Sequence, residues 1–84
     1  MIKSGEFVTI MYFHNDTYDM LEDVLVFTDE ESARRYLRYL KRIAEENNAL
    51  DDYRNDNALA YLTYINEDNH MYTYSLDRIP KRVI

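Results

Sequence analysis

The first strand-like stretch of the chain is apolar on both sides. In residues 6–14, alternate side chains of an extended backbone fall on opposite faces, with Phe7, Thr9, Met11 and Phe13 on one face and Val8, Ile10 and Tyr12 on the other. This pattern predicts a central strand that is covered on both faces. A turn is expected at residues 14–17, and a second strand is expected over residues 22–27, which contain the run Val24-Leu25-Val26-Phe27.

A helix is predicted directly after the second strand. Thr28-Asp29-Glu30-Glu31 fits a capping box, in which the Thr28 hydroxyl accepts from the Glu31 amide and the Glu31 carboxylate accepts from the Thr28 amide. Apolar residues then recur at spacings of three and four, and this amphipathic pattern predicts a helix that ends at about Glu46 or Asn47. The stripe consists of Ala33, Tyr36, Leu37, Leu40, Ile43 and Ala44.

The rest of the chain predicts a loop and a hairpin. Residues 47–57 are polar and acidic, and we expect a loop or a short helical turn there. Strands are predicted over residues 58–65 and 70–76, joined by a turn at 66–69. The tail, residues 77–84, is expected to leave the sheet because Pro80 cannot donate to a strand ladder. The order β-β-α-β-β predicts a single α+β domain over residues 1–84, a four-stranded antiparallel sheet with one long helix on one face.

Composition narrows the class of protein. With 84 residues, of which 46% are hydrophobic and 14% aromatic, the chain is expected to fold as one domain rather than to be disordered. It has no cysteine, which excludes disulfides, thiolate metal sites and a cysteine nucleophile and favours the cytoplasm. We see no signal-peptide pattern and no apolar run of about 20 residues, so no membrane association is expected.

Charge is distributed unevenly along the chain. The net charge is −6, yet five of the ten basic residues lie between Arg34 and Arg42, on the predicted helix. The remaining acidic body disfavours direct binding to nucleic acid or anionic membrane and favours basic partners, including nucleic-acid-binding proteins. The alternative is that the acids serve solubility alone.

The predicted fold leaves one aromatic sheet face without cover. One helix can cover only one face of the sheet, so we expect the other face to bind another protein or a second copy of this chain. Binding of a second copy would give the homodimer that we expect. The alternative is that residues 47–57 and the tail fold across that face. The candidate contacts are the aromatic residues Tyr61, Tyr64, Tyr72 and Tyr74 and the acidic residues Asp51, Asp52, Asp56, Glu67 and Asp68.

Candidate chemistry is sparse. Arg34, Arg38 and Arg42 are candidate anion contacts. The alternative is a solvated, ion-paired helix face, because the i,i+4 spacing predicts the pairs Glu30–Arg34, Glu31–Arg35 and Arg42–Glu46; Arg38 has no acid at that spacing. His14 and His70 are expected as surface residues at strand ends. No nucleophile elbow or phosphate-binding glycine loop is present in a chain whose only glycine is Gly5. The sequence therefore predicts neither an enzyme nor a bound cofactor or metal.

The stretch Val26-Phe27-Thr28-Asp29-Glu30-Glu31-Ser32-Ala33 and the strand end Tyr74-Ser75-Leu76-Asp77 carry a resemblance. The chain resembles small β-β-α-β-β domains common in phage and prophage genomes, and it is similar in style to phage inhibitors of host defence such as anti-CRISPR proteins. The resemblance implies a non-enzymatic protein that inhibits or modulates a bacterial defence protein in the cytoplasm of an infected or lysogenic bacterium. Two alternatives stay open: a small-ligand or nucleotide sponge, with tyrosines of one subunit and arginines of another at an oligomer interface, and a structural homo-oligomer.

Overall fold

The computed structural model describes residues 7–80. Its five strands form one sheet in the order β2-β1-β5-β4-β3, and every neighbouring pair is antiparallel. The α+β class and the antiparallel sheet are confirmed, but the sheet has five strands and not four. The elements are β1 (Phe7–Asn15), β2 (Met20–Phe27), α1 (Glu30–Glu46), β3 (Leu50–Asn55), β4 (Ala60–Ile65) and β5 (Met71–Pro80).

The strand that the sequence did not predict is β3. It lies at one edge of the sheet and, among residues 7–80, pairs only with β4, with a register irregularity between Leu50 and Asp52. Tyr53 lies opposite Leu62 of β4. At the residue before β3, the Ala49 carbonyl accepts a hydrogen bond from the Ile65 amide at 2.9 Å. The expectation of a loop or helical turn here was wrong because pairing with β4 makes this polar segment extended.

The helix begins one residue later than the predicted capping box. Asp29 is the N-cap, with an extended backbone (φ −154°), and its carboxylate accepts from the Ser32 amide at 2.7 Å. That hydrogen bond also lowers the pKa of Asp29. The Thr28–Glu31 capping box was therefore wrong, whereas the predicted helix end at Glu46 is confirmed.

The buried core lies between α1 and one face of the sheet, which we call the helix face. Leu37 of the helix, Met11 of β1 and Leu62 of β4 are its largest fully buried side chains. We call the face turned away from α1 the open face. Successive side chains along each strand point alternately to the helix face and to the open face. On the open face Ile10 is also buried, whereas Val26 is 70% exposed.

The last strand is longer than predicted. β5 pairs with β1 over nine positions, from Phe7 opposite Pro80 to Asn15 opposite Tyr72. The expectation that the chain leaves the sheet from residue 77 was wrong for residues 77–80, since Pro80 sits at the end of the ladder, where a missing donor matters least. Residues 81–84 of the predicted tail lie outside the described residues. Within the described part, α1 is too short and too charged to cross a membrane.

Candidate binding cleft

The strand register assigns the candidate tyrosines to two different faces. Tyr64 lies opposite Tyr72, and Tyr74 lies opposite both Leu62 and Phe13, so these rings share the helix face with the core. Tyr61 lies opposite Ser75 on the open face. The four candidate tyrosines therefore do not share one face of the sheet; three of them lie on the side of the helix.

Four rings on the helix face form a continuous stack. The centroid distances are 4.4 Å for Phe13–Tyr74, 5.2 Å for Phe13–Tyr72, 5.4 Å for Tyr64–Tyr72 and 6.3 Å for Tyr64–Tyr74. All four side chains are half-buried, so the stack keeps part of its ring surface open to a ligand. Stacked aromatic rings offer a broad flat surface whose faces carry partial negative charge.

Burial affects the hydroxyl groups of this stack. It raises the pKa of Tyr74 to about 12 and raises that of Tyr64 as well. Both hydroxyls therefore stay protonated at neutral pH and can donate hydrogen bonds to a ligand. Asp23, which lies opposite Phe13 on the helix face, adds to the upward shift at Tyr74 through its negative charge.

A cleft of about 680 Å³ opens where the stack meets the C-terminal half of α1. Leu40, Ile43 and Ala44 of the helix form one wall, and Tyr64 and Tyr74 lie on the sheet side. This volume lies within the range of about 300–1,000 Å³ that small-molecule sites occupy.

The charge around this cleft has one sign. Among the described residues that line it, the charged ones are Glu67 and Asp68, both in the turn between β4 and β5. The last turn of α1 contains no basic residue and ends in Glu45 and Glu46. The C-terminus of a helix carries partial negative charge, so this end of α1 adds to the negative charge of these carboxylates. The cleft thus combines aromatic faces with negative potential.

The other predicted acids lie elsewhere. Asp52 accepts a hydrogen bond from the Tyr61 hydroxyl at 2.8 Å, and Asp51 is exposed on β3. Asp56 accepts from Arg54 at 2.6 Å and from two turn amides, and these bonds lower its pKa to about 2. The structure therefore brings only Glu67 and Asp68 of the predicted acids to the cleft.

The three candidate arginines, Arg34, Arg38 and Arg42, lie outside the cleft lining. Arg34 donates to the Asn55 side chain at 2.6 Å and to the Asp56 carbonyl at 3.0 Å, which fixes the helix against the β3–β4 turn. Arg38 lies 3.4 Å from Glu31, and Arg42 is exposed. The expected ion pairs from Glu30 to Arg34 and from Glu31 to Arg35 are present, at 3.4 and 4.0 Å.

The two histidines lie at the same end of the sheet and have separate partners. His14 contacts Asp16 at 2.7 Å and Asp19 at 3.2 Å, and the hydrogen bond to Asp16 raises the pKa of His14. His70 lies 3.3 Å from the Tyr18 hydroxyl. Between residues 7 and 80, no group of three or more histidine or acidic side chains is placed to hold a metal ion.

Comparisons of the chain with protein families, with curated proteins and with solved structures find no match.

Proposed function

We propose that this chain is a non-enzymatic binding protein whose cleft receives a basic segment of another protein. The observation that carries the proposal is the pairing of a half-exposed aromatic stack with a rim whose charged residues, Glu67 and Asp68, are both acidic. A guanidinium or ammonium group is attracted to an aromatic face and to carboxylates at the same time. The apolar wall of α1 suits the methylene groups of an Arg or Lys side chain.

The partner that best fits this chemistry is a bacterial protein with an exposed basic surface. The resemblance to small phage domains supports a host protein, and the net charge of −6 supports one that itself binds nucleic acid. The cleft would bind the Lys and Arg side chains with which such a protein contacts phosphate. It would therefore compete with nucleic acid for those side chains. Inhibition or modulation follows from this competition and requires no chemical step.

The geometry gives less support to a nucleotide sponge. A phosphate in the cleft would face Glu67 and Asp68, and like charges at close range oppose binding. Among the described residues, no arginine of the same chain lines the cleft, and Arg34 is already bonded to Asn55 and Asp56.

The test is a titration of ¹⁵N-labelled protein with a short arginine-rich peptide and, in parallel, with a glutamate-rich peptide of equal length. We expect the arginine peptide to shift the amides of Tyr64, Glu67, Asp68 and Tyr74, with binding that weakens as salt rises. The glutamate peptide should leave these amides unchanged. Shifts spread evenly over the acidic surface would contradict a defined site.

A matched pair of variants separates the site from net charge. The double variant Glu67→Gln/Asp68→Asn removes two charges from the rim, and Asp51→Asn/Asp52→Asn removes two charges outside the cleft lining. We expect the rim variant to bind the peptide at least about tenfold more weakly, because two charge-assisted contacts are lost. The β3 variant should bind nearly as the parent does, and equal weakening in both variants would refute the proposed site.

A further inference from the structure

The two edges of the sheet are unlike each other. β2 and β3 are the outer strands, and each has one side with no neighbour among residues 7–80. An outer strand presents unpaired N–H and C=O groups to any other strand that approaches. Proteins usually protect such an edge with charges, irregular pairing or short length.

The β3 edge carries these protections. It has six residues, three of them charged (Asp51, Asp52 and Arg54), and its register is irregular next to Leu50. The second half of β2 has neither charges nor irregular pairing, and its one side-chain protection is the hydrogen bond from the Val24 amide to Asp23 Oδ1, at 2.8 Å. Residues 24–27 of β2 pair regularly with β1, and all four are apolar.

Among the described residues, four of the nine large exposed hydrophobic side chains lie on β2. Leu21, Val24 and Val26 lie on the open face of β2 and are 55%, 40% and 70% exposed. Tyr12 of β1 lies opposite Val24 and continues the apolar surface inward. The free backbone edge and the apolar surface therefore coincide.

We propose that β2 pairs with β2 of a second copy of this chain, antiparallel about a two-fold axis. A second copy is the occupant because its own residues 24–27 supply an equally uncharged row; on pairing, the Val24 amide would exchange its hydrogen bond to Asp23 Oδ1 for one to the second copy. A basic partner segment, in contrast, would find no acid to pair with along residues 24–27.

The acids at the start of β2 disfavour a register centred on Asp23 and are compatible with one centred on Leu25. A two-fold axis through Leu25 sets Leu25 opposite its own symmetry mate and Val24 opposite Val26 of the second copy. In that register Asp23 lies opposite Phe27 of the second copy, so no two acids face each other. Shifting the axis to Asp23 would set Asp23 opposite its own mate, and directly opposed like charges destabilise a strand pair.

This dimer has a consequence for binding. A two-fold axis normal to the sheet joins the two five-stranded sheets into one of ten strands and keeps both α1 helices on the same side. Both clefts would then face one way. A partner with two basic segments could engage them together and gain avidity.

The first test measures mass by light scattering on a sizing column over a range of concentrations. We expect the parent to reach twice the 10.2 kDa of the chain and Val26→Lys to raise the dimer dissociation constant at least about tenfold. The control is Leu59→Lys, which places the same charge at a half-exposed residue in the β3–β4 connection. A parent that is monomeric at every concentration, or a Val26→Lys variant that dimerises like the parent, would overturn the proposal.

The second test measures the register by cross-linking. The chain contains no cysteine, so Val24→Cys and Val26→Cys each introduce a single thiol. Directly opposed residues lie about 4.5–5.5 Å apart, within disulfide range, whereas diagonal neighbours lie about 7–8 Å apart. On oxidation, a mixture of the two variants should form the mixed 24–26 disulfide in preference to either homodimer. Preferential 24–24 or 26–26 linkage would refute this register.

Discussion

Replacing Leu62 by Ala tests the assignment of the two sheet faces directly. Leu62 is 1% exposed and lies in the buried cluster with Met11 and Leu37, on the helix face of β4. A Leu→Ala change at a fully buried site costs about 2–5 kcal/mol, because it loses the transfer energy of the side chain and leaves a cavity. Since α1 lies over this position and the sheet continues on both sides, little relaxation is expected, and we expect about 3 kcal/mol.

That loss is large for this protein. A domain of 84 residues has a free energy of unfolding of about 4–13 kcal/mol in all. A loss of about 3 kcal/mol would lower Tm by roughly 12–24 °C in a domain of this size. Leu59→Ala is the control, because the same change is made three residues away at a side chain that is 50% exposed. It should cost about 1 kcal/mol or less.

The measurement is urea unfolding followed by circular dichroism, with all three proteins analysed at equal concentration. Equal concentration matters because dimerisation would stabilise each of them. If Leu62→Ala and Leu59→Ala differ by less than about 1 kcal/mol, the face assignment of β4 is incorrect, and the placement of the tyrosine stack on the helix face is refuted with it.

Two further predictions concern single side chains. The NMR titration midpoint of His14 should lie above 6.5 in the parent and fall toward 6.5 in Asp16→Asn. Because the pKa of His14 is raised in the folded state, its contribution to stability is fully present below pH 6.5 and is lost as the pH rises through the folded pKa. For the helix start, Asp29→Ala should lower the urea midpoint more than Thr28→Ala does, because Asp29 accepts the Ser32 amide; the reverse order would restore the Thr28 capping box.

The sequence predicted the helix and four of the strands because each carries its own periodic pattern. The stripe from Ala33 to Ala44 repeats every three or four residues, and the apolar run of residues 24–27 has the length of a buried strand segment. β3 has no such pattern: three of its six residues are charged, and only Leu50 and Tyr53 are apolar or aromatic. Its extended state arises from pairing with β4, which is a tertiary effect that local propensity does not contain.

The cleft was predictable only in part. Tyr64, Tyr72, Tyr74, Glu67 and Asp68 were among the nine candidate partner contacts, but the sequence did not settle which face of the sheet the tyrosines occupy. A usable signal was present in β5, where Tyr72, Tyr74 and Leu76 alternate with Thr73, Ser75 and Asp77. That alternation already places these rings on the apolar side of the strand, toward the core. The contributions of Phe13 and Asp23 depend on register across strands, which no single segment encodes.

The two proposed interfaces respond to salt in opposite directions, and this separates them in one experiment. The cleft attracts its ligand through Glu67, Asp68 and the negative end of α1, so added salt should weaken peptide binding. The dimer brings together two chains of net charge −6 through an uncharged strand segment, so added salt should screen their repulsion and strengthen pairing. A peptide affinity and a dimer affinity that both fell with salt would indicate that attraction between opposite charges holds the dimer together, contrary to pairing through the uncharged residues 24–27.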